Sequence, residues 1–221
     1  MREKWRTNDL SVNVSLKKEY SGANGIYFAS YGFFMSQLFQ MDRYLIRTKF
    51  WRVFGGAFYF EDLEGNVIAF SKQKRFKLRE DIVLFSNESC TEALVQIKAR
   101  SILDLATTYD IIDSQTGESL GSAKRNFMKS ILKDSWTISD ASGNPYAQFI
   151  EDSIAILRRF VPFIPAKYHF EIAGQQPILM QQRFNPIIKQ TDVMIPPGHP
   201  LDRRVIAAVA LLSSAIEGRQ G

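Results

Sequence analysis

The sequence predicts a mainly β fold, a closed antiparallel barrel of about twelve strands around a central hydrophobic C-terminal helix. Three observations predict it. Aromatic residues reach 13%, with 17 Phe and 8 Tyr, a composition that suits strands better than helices. Between Tyr44 and Met194 an alternating aromatic or β-branched run repeatedly leads through an acidic or polar turn containing Gly into a second alternating run, which is the pattern of a β-hairpin. Finally, Val205 to Ile216 (VIAAVALLSSAI) is uncharged and nearly apolar all round, so as a helix it has no face for water and must be surrounded by protein.

In chain order, residues 1–25 are polar and end in Gly and Asn, and read as a flexible N-terminal arm ahead of a single barrel domain over 26–221. Tyr20 to Met41 carries no charge, but its apolar part, about 16 residues, falls short of the roughly 20 that a membrane-crossing helix requires. Two uses remain for it. It packs on the body as a strand and short helix, or it presents Phe33, Phe34 and Phe39 to a membrane surface or partner.

Four hairpins follow, Ala57 to Lys72, Thr108 to Lys124, Trp136 to Glu151 and Lys167 to Arg183, turning at Gly65, Gly117, Gly143 and Gly174. Glycine at these places is explained by the positive φ of tight turns. Asp62, Asp113 and Asp140 precede the first three, where an Asp carboxylate initiates a turn by accepting nearby backbone N–H groups. Tyr44 to Trp51, Ile82 to Phe85, Ala93 to Ala99 and Ile187 to Met194 supply the remaining strands. A long antiparallel meander exposes two edges unless it closes, so a barrel is the economical outcome.

Pro200-Leu201-Asp202 opens the helix, with Asp202 as N-cap and Gly218 as terminator, which places it over about 201–217. Its apolar stretch spans about 18 Å, short of the roughly 30 Å of bilayer hydrocarbon. Twelve strands about 4.8 Å apart close into a barrel roughly 24 Å across, and inward side chains narrow this to about the diameter of one helix. Arg203 and Arg204 at the helix start oppose its dipole, and are expected to reach solvent at the barrel mouth.

The balance of residues excludes several classes. Hydrophobic residues make up 45% and charged residues 23% of 221, which is ordinary globular usage. One Cys and two His leave little from which to build a disulfide framework, a zinc cluster or a Cys/His catalytic centre. No metal or cofactor is expected. No signal-peptide pattern opens the chain, so the expected location is the cytoplasm.

The order of YLIRTKFW, AFYFEDLEGN, FSKQKRFKLREDI, KARSILDLATTYDIID, GSAKRNFMKSILKDSW and PLDRRVIAAVALLSSAIEG resembles the LURP-one-related family of the tubby C-terminal-like superfamily, which also holds the phospholipid scramblases. The resemblance covers residues 44–217 and implies a twelve-stranded barrel around a central helix. It also implies phosphoinositide binding or membrane association. Scramblases carry an acidic calcium-binding segment before the last helix, where this chain offers only Asp192 and Asp202, too few carboxylates for a calcium shell.

Enzymatic motifs are thin. Gly117-Glu118-Ser119-Leu120-Gly121 matches the G-x-S-x-G elbow but straddles a hairpin instead of joining a strand to a helix. His169 lies in an alternating strand, His199 between two prolines, and Cys90 in a polar loop with no base beside it. Glu80-Asp81 and Glu151-Asp152 are adjacent pairs, and neighbouring residues on a strand face opposite ways, so neither pair alone is expected to supply paired acid/base catalysis. No catalytic residue is assigned.

The functional signal is electrostatic. Lys72, Lys74, Arg75 and Lys77 crowd one strand and turn among Phe70, Phe76 and Leu78, with Lys124 and Arg125 in the analogous place after the second hairpin. These six are the lipid-headgroup candidates. The expectation is a non-enzymatic binding or scaffold domain for an anionic membrane lipid, a phosphoinositide included, or for a protein partner, peripheral to the inner face of the membrane. A scramblase-like lipid-handling protein and an enzyme with a site on the barrel are the alternatives. With basic residues exceeding acidic ones only 28 to 23 and no recognition motif, nucleic acid is not an expected partner. The sequence leaves the oligomeric state open.

Overall fold

The computed structural model describes residues 36–51, 55–73, 81–100, 108–126, 135–152, 165–184 and 188–217. All of them belong to one unit, Met35–Gly221. The predicted arm lies outside the described residues, as do Phe33 and Phe34.

A one-turn helix α1 (Gln37–Gln40) precedes β1 (Arg43–Trp51), β2 (Gly55–Glu61), β3 (Val67–Gln73), β4 (Ile82–Phe85), β5 (Ala93–Ala99) and β6 (Thr108–Asp113). Then come β7 (Ser119–Arg125), β8 (Ser135–Ser139), β9 (Pro145–Glu151), β10 (Lys167–Glu171), β11 (Ile178–Arg183), β12 (Lys189–Met194) and the long helix α2 (Arg203–Glu217). Each strand pairs antiparallel with its sequence neighbours, and β1 pairs with β12 through Tyr44↔Val193 and Ile46↔Thr191 to close the ring. The predicted barrel is present, strand for strand.

Its turns follow the predicted chemistry. Asp62 Oδ1 accepts the N–H groups of Glu64 at 2.9 Å and Asn66 at 2.8 Å, and Asp113 Oδ1 accepts those of Gln115 at 2.8 Å and Thr116 at 3.0 Å. A different glycine holds the sheet itself. Gly121 in β7 has φ +126°, at a register slip between Ile111 and Ile112 of the facing strand. A Cβ there would lie 2.2 Å from the Ser139 carbonyl oxygen on the other side. Gly121→Ala is therefore expected to cost about 3 kcal/mol or more, combining backbone strain with a clash against immovable backbone. Gly143→Ala, whose added methyl meets nothing within 4 Å, should cost only about 1 kcal/mol. Urea unfolding of the two variants checks this, and equal losses would count against the account.

Alternation places one side chain in two inside. Tyr44, Ile46, Phe58, Phe60, Trp136, Phe149, Tyr168 and Phe170 belong to the same buried core as Val205, Val209, Leu211 and Leu212 of α2. Every α2 residue from Val205 to Ile216 is buried. The helix is not centred: it lies against β5, β6 and β7. Most inner residues there are slim, Val95, Ile97, Ile111, Gly121 and Ala123, with Tyr109 the exception, whereas large aromatics point inward from β1, β2, β8, β9 and β10.

α2 starts at Arg203, two residues later than the expected 201, with Leu201 and Asp202 forming its entry. Asp202 is the N-cap, its Oδ1 accepting the Arg204 N–H at 2.8 Å. The two arginines are tied down rather than free in solvent. Arg203 binds Asp42 at 2.5 Å and the Met41 carbonyl, and Arg204 bridges Asp202 and Asp113, both at 2.6 Å. These carboxylates offset the unfavourable position of the arginines on the helix dipole.

Phe39 corrects an expectation. It is 7% exposed and, with Leu38, belongs to the barrel core, where α1 packs on α2 and β3. A one-turn helix with two adjacent apolar side chains stabilises itself by burying them, so Phe39 closes this end of the barrel and has no surface to offer a membrane.

Candidate functional site

Of the predicted headgroup cluster, Lys74, Arg75 and Lys77 lie outside the described residues. Lys72 and Lys124 are exposed on the outer face of β3 and β7, and neither pairs with a carboxylate among the described residues. Four strand spacings separate them, roughly 19 Å around the wall, with exposed Lys98 on β5 between. Arg125 turns the other way. It follows Lys124 in an extended strand, so its side chain enters the barrel, with its guanidinium 5.8 Å from the Trp136 ring. It does not share a surface with Lys124.

A denser cationic row stands on the first strand. Arg43, Arg47 and Lys49 of β1 all face outward, in odd positions opposite inward Tyr44, Ile46 and Thr48. Arg183 of β11 joins them across β12. Arg43 and Arg183 both donate to Asp192 Oδ2, at 2.6 and 3.1 Å. Burial raises the affinity of the Asp192 carboxyl for its proton, but the hydrogen bonds from these two arginines outweigh it and hold the group below the usual carboxylate range.

Arg47 pairs with Glu61 at 2.5 Å and lies 4.1 Å from the centre of the Tyr59 ring. Lys49 reaches the same ring, its Nζ 5.2 Å from the centre. Tyr59 meets Phe70 edge-on at 5.2 Å and, with Ala57, forms a second apolar cluster on the outer face. The outer surface of β11, β12, β1, β2 and β3 thus carries Arg183, Arg43, Arg47, Lys49 and Lys72 against Asp192 and Glu61. The row on β1 was readable: in RYLIRTK the odd positions are Arg, Leu, Arg and Lys. Counting charges by clusters along the chain hides a period-two pattern.

The remaining motif residues lie at separate places on the barrel. Ser119 of the G-x-S-x-G match is exposed at the start of β7. His169 Nδ1 lies 3.0 Å from Asp152 Oδ1, an orienting pair on the outer wall, while Glu151 next to that Asp is buried inside. Asp192 and Asp202 are both occupied by arginines. Among the described residues no group of three or more His, Cys, Asp or Glu could hold a metal ion, and no helix is long and apolar enough to cross a membrane. No family model, curated protein or solved structure matches the chain.

Proposed function

We propose that this barrel is a non-enzymatic binding module that docks on anionic membrane lipid through the exposed outward cations of β11, β1 and β3, Arg183, Arg43, Lys49 and Lys72, at the cytoplasmic leaflet where such lipids concentrate. The observation that carries the reading is the outward row Arg43, Arg47 and Lys49, flanked by Arg183 and Lys72 and answered among the described residues by the two carboxylates of Asp192 and Glu61. Arginines that already share a carboxylate are held in place, so they meet a phosphate with little further loss of side-chain freedom. The Lys72 end of the face leads into Lys74, Arg75 and Lys77 in sequence. Kinship with the LURP-one-related family belongs to the same proposal, supported by the strand order and the enclosed helix.

At about 1 kcal/mol per uncompensated basic residue near an anionic leaflet, the net charge of this face supports binding in the millimolar range. The proposal therefore expects weak, salt-sensitive, reversible docking, tightened by multiply charged headgroups. Co-sedimentation tests it with vesicles of phosphatidylcholine alone, with phosphatidylserine, and with a phosphoinositide, each at two salt concentrations. Lys49→Glu/Lys72→Glu should lower pelleting with anionic vesicles at least tenfold and leave the neutral-vesicle background unchanged. Equal pelleting of the variant and the parent would remove the site.

A further inference from the structure

The two ends of the barrel carry opposite charge. Because every pairing is antiparallel, the odd-numbered strands finish and the even-numbered strands start at the end away from α1. Exposed there are Lys49, Lys72, Lys98, Lys124, Lys167 and Arg183, each at or near a strand terminus. The α1 end instead exposes Asp42, Glu64, Glu88, Glu92, Glu118 and Glu171. Large exposed apolar side chains divide the same way. Phe184, 69% exposed, follows Arg183 out of β11, and Ile188, 37% exposed, leads into β12, so both flank one connection at the cationic end. Leu63, Tyr146 and Leu179, the other exposed large apolar side chains among the described residues, lie toward the acidic end.

We infer that the β11–β12 end is a membrane-inserting tip: Phe184 and Ile188 enter the boundary between headgroups and acyl chains of an anionic leaflet, and the barrel leans with its cationic end down. The inference rests on the docking reading above, which uses charge alone, and adds to it an apolar anchor and a posture. Charge and an apolar contact act together here because a single weak signal gives only marginal, reversible binding to a bilayer. With the Phe184 ring between lipids, Arg183 beside it keeps its charged head at the level of the phosphates. A strand of about seven residues at about 3.3 Å each puts the acidic end roughly 20 Å from the leaflet, beyond the ~8 Å over which exposed charges act in physiological salt. The reverse posture would press those carboxylates against like charge, and Leu63, set between Asp62 and Glu64, could enter only with them. Arg43, at the α1 end of β1, is then the cation of the docking face farthest from lipid.

Vesicles of phosphatidylserine with brominated phosphatidylcholine test the tip. Phe184→Trp should lose roughly half of its added fluorescence on them relative to unbrominated vesicles, and Leu63→Trp none, the signal of the three native Trp being subtracted in each. In co-sedimentation Phe184→Ser/Ile188→Ser should bind phosphatidylserine vesicles roughly fivefold more weakly at low and at high salt, whereas the loss in Lys49→Glu/Lys72→Glu shrinks as salt rises. Both tip side chains are exposed, so the serine variant should melt with the parent. An unquenched Phe184→Trp on vesicles that still pellet the protein, equal quenching of Leu63→Trp, or unchanged binding of the serine variant each overturns the inference and leaves the docking reading in place. If the parent pellets with no anionic vesicle, both fall together.

Discussion

A chain ended at Asp202 should fail to fold. Without α2 the inner wall keeps Tyr44, Phe58, Phe60, Trp136, Phe149 and Phe170, and these cannot meet across a ring of twelve strands roughly 24 Å wide. The helix buries Val205, Ile206, Val209, Leu211, Leu212 and Ile216. At about 2 kcal/mol for each large apolar side chain, their transfer contributes on the order of 10 kcal/mol, comparable to the whole stability of an ordinary domain. Far-UV circular dichroism and a thermal melt of the truncated chain should show no cooperative transition. A cooperative melt would mean that the barrel fills itself. Leu211→Ala, which keeps the helix and leaves a hole, should lower stability by about 3–5 kcal/mol and the melting point by roughly 10 °C.

The second large effect concerns Asp113, which performs two tasks with its two oxygens. One accepts the turn N–H groups of Gln115 and Thr116, and the other the Arg204 guanidinium, joining the β6–β7 turn to the start of α2. Burial favours its protonated form, yet the backbone hydrogen bond from Thr116 and the bond from Arg204 together hold the carboxyl below the usual range. Asp113→Ala strands those donors in a side chain site only 6% exposed, and should cost about 3 kcal/mol. Pairing it with Arg204→Met in a double-mutant cycle should show coupling well above 0.5 kcal/mol.

The sign of the pH dependence follows. A carboxyl with a depressed native pKa stabilises the fold fully above its unfolded value near 4, and that contribution disappears as pH falls through the native value. Urea midpoints should fall below about pH 4, and Asp113→Ala should flatten that fall. An unchanged slope would show that other carboxylates, Asp192 among them, govern acid unfolding.

The architecture was legible because its signals are local. Alternation marks a strand, an Asp and a Gly mark each turn, and an uncharged stretch as long as VIAAVALLSSAI can only be enclosed. What sequence alone did not reveal depends on closure. Phe39 is indistinguishable along the chain from an exposed aromatic until α1 meets α2. Arg125 reads as one cation among several until strand alternation turns it toward Trp136. The row on β1 gains Arg183 only because the twelfth strand brings β11 beside β1, across 140 residues of chain.

Because the enclosed helix follows all twelve strands in the chain, the ribosome makes the walls before it makes the filling. During synthesis a nascent polypeptide of sticky, half-paired ribbons must wait, and it is then that chaperone attention or aggregation is most expected.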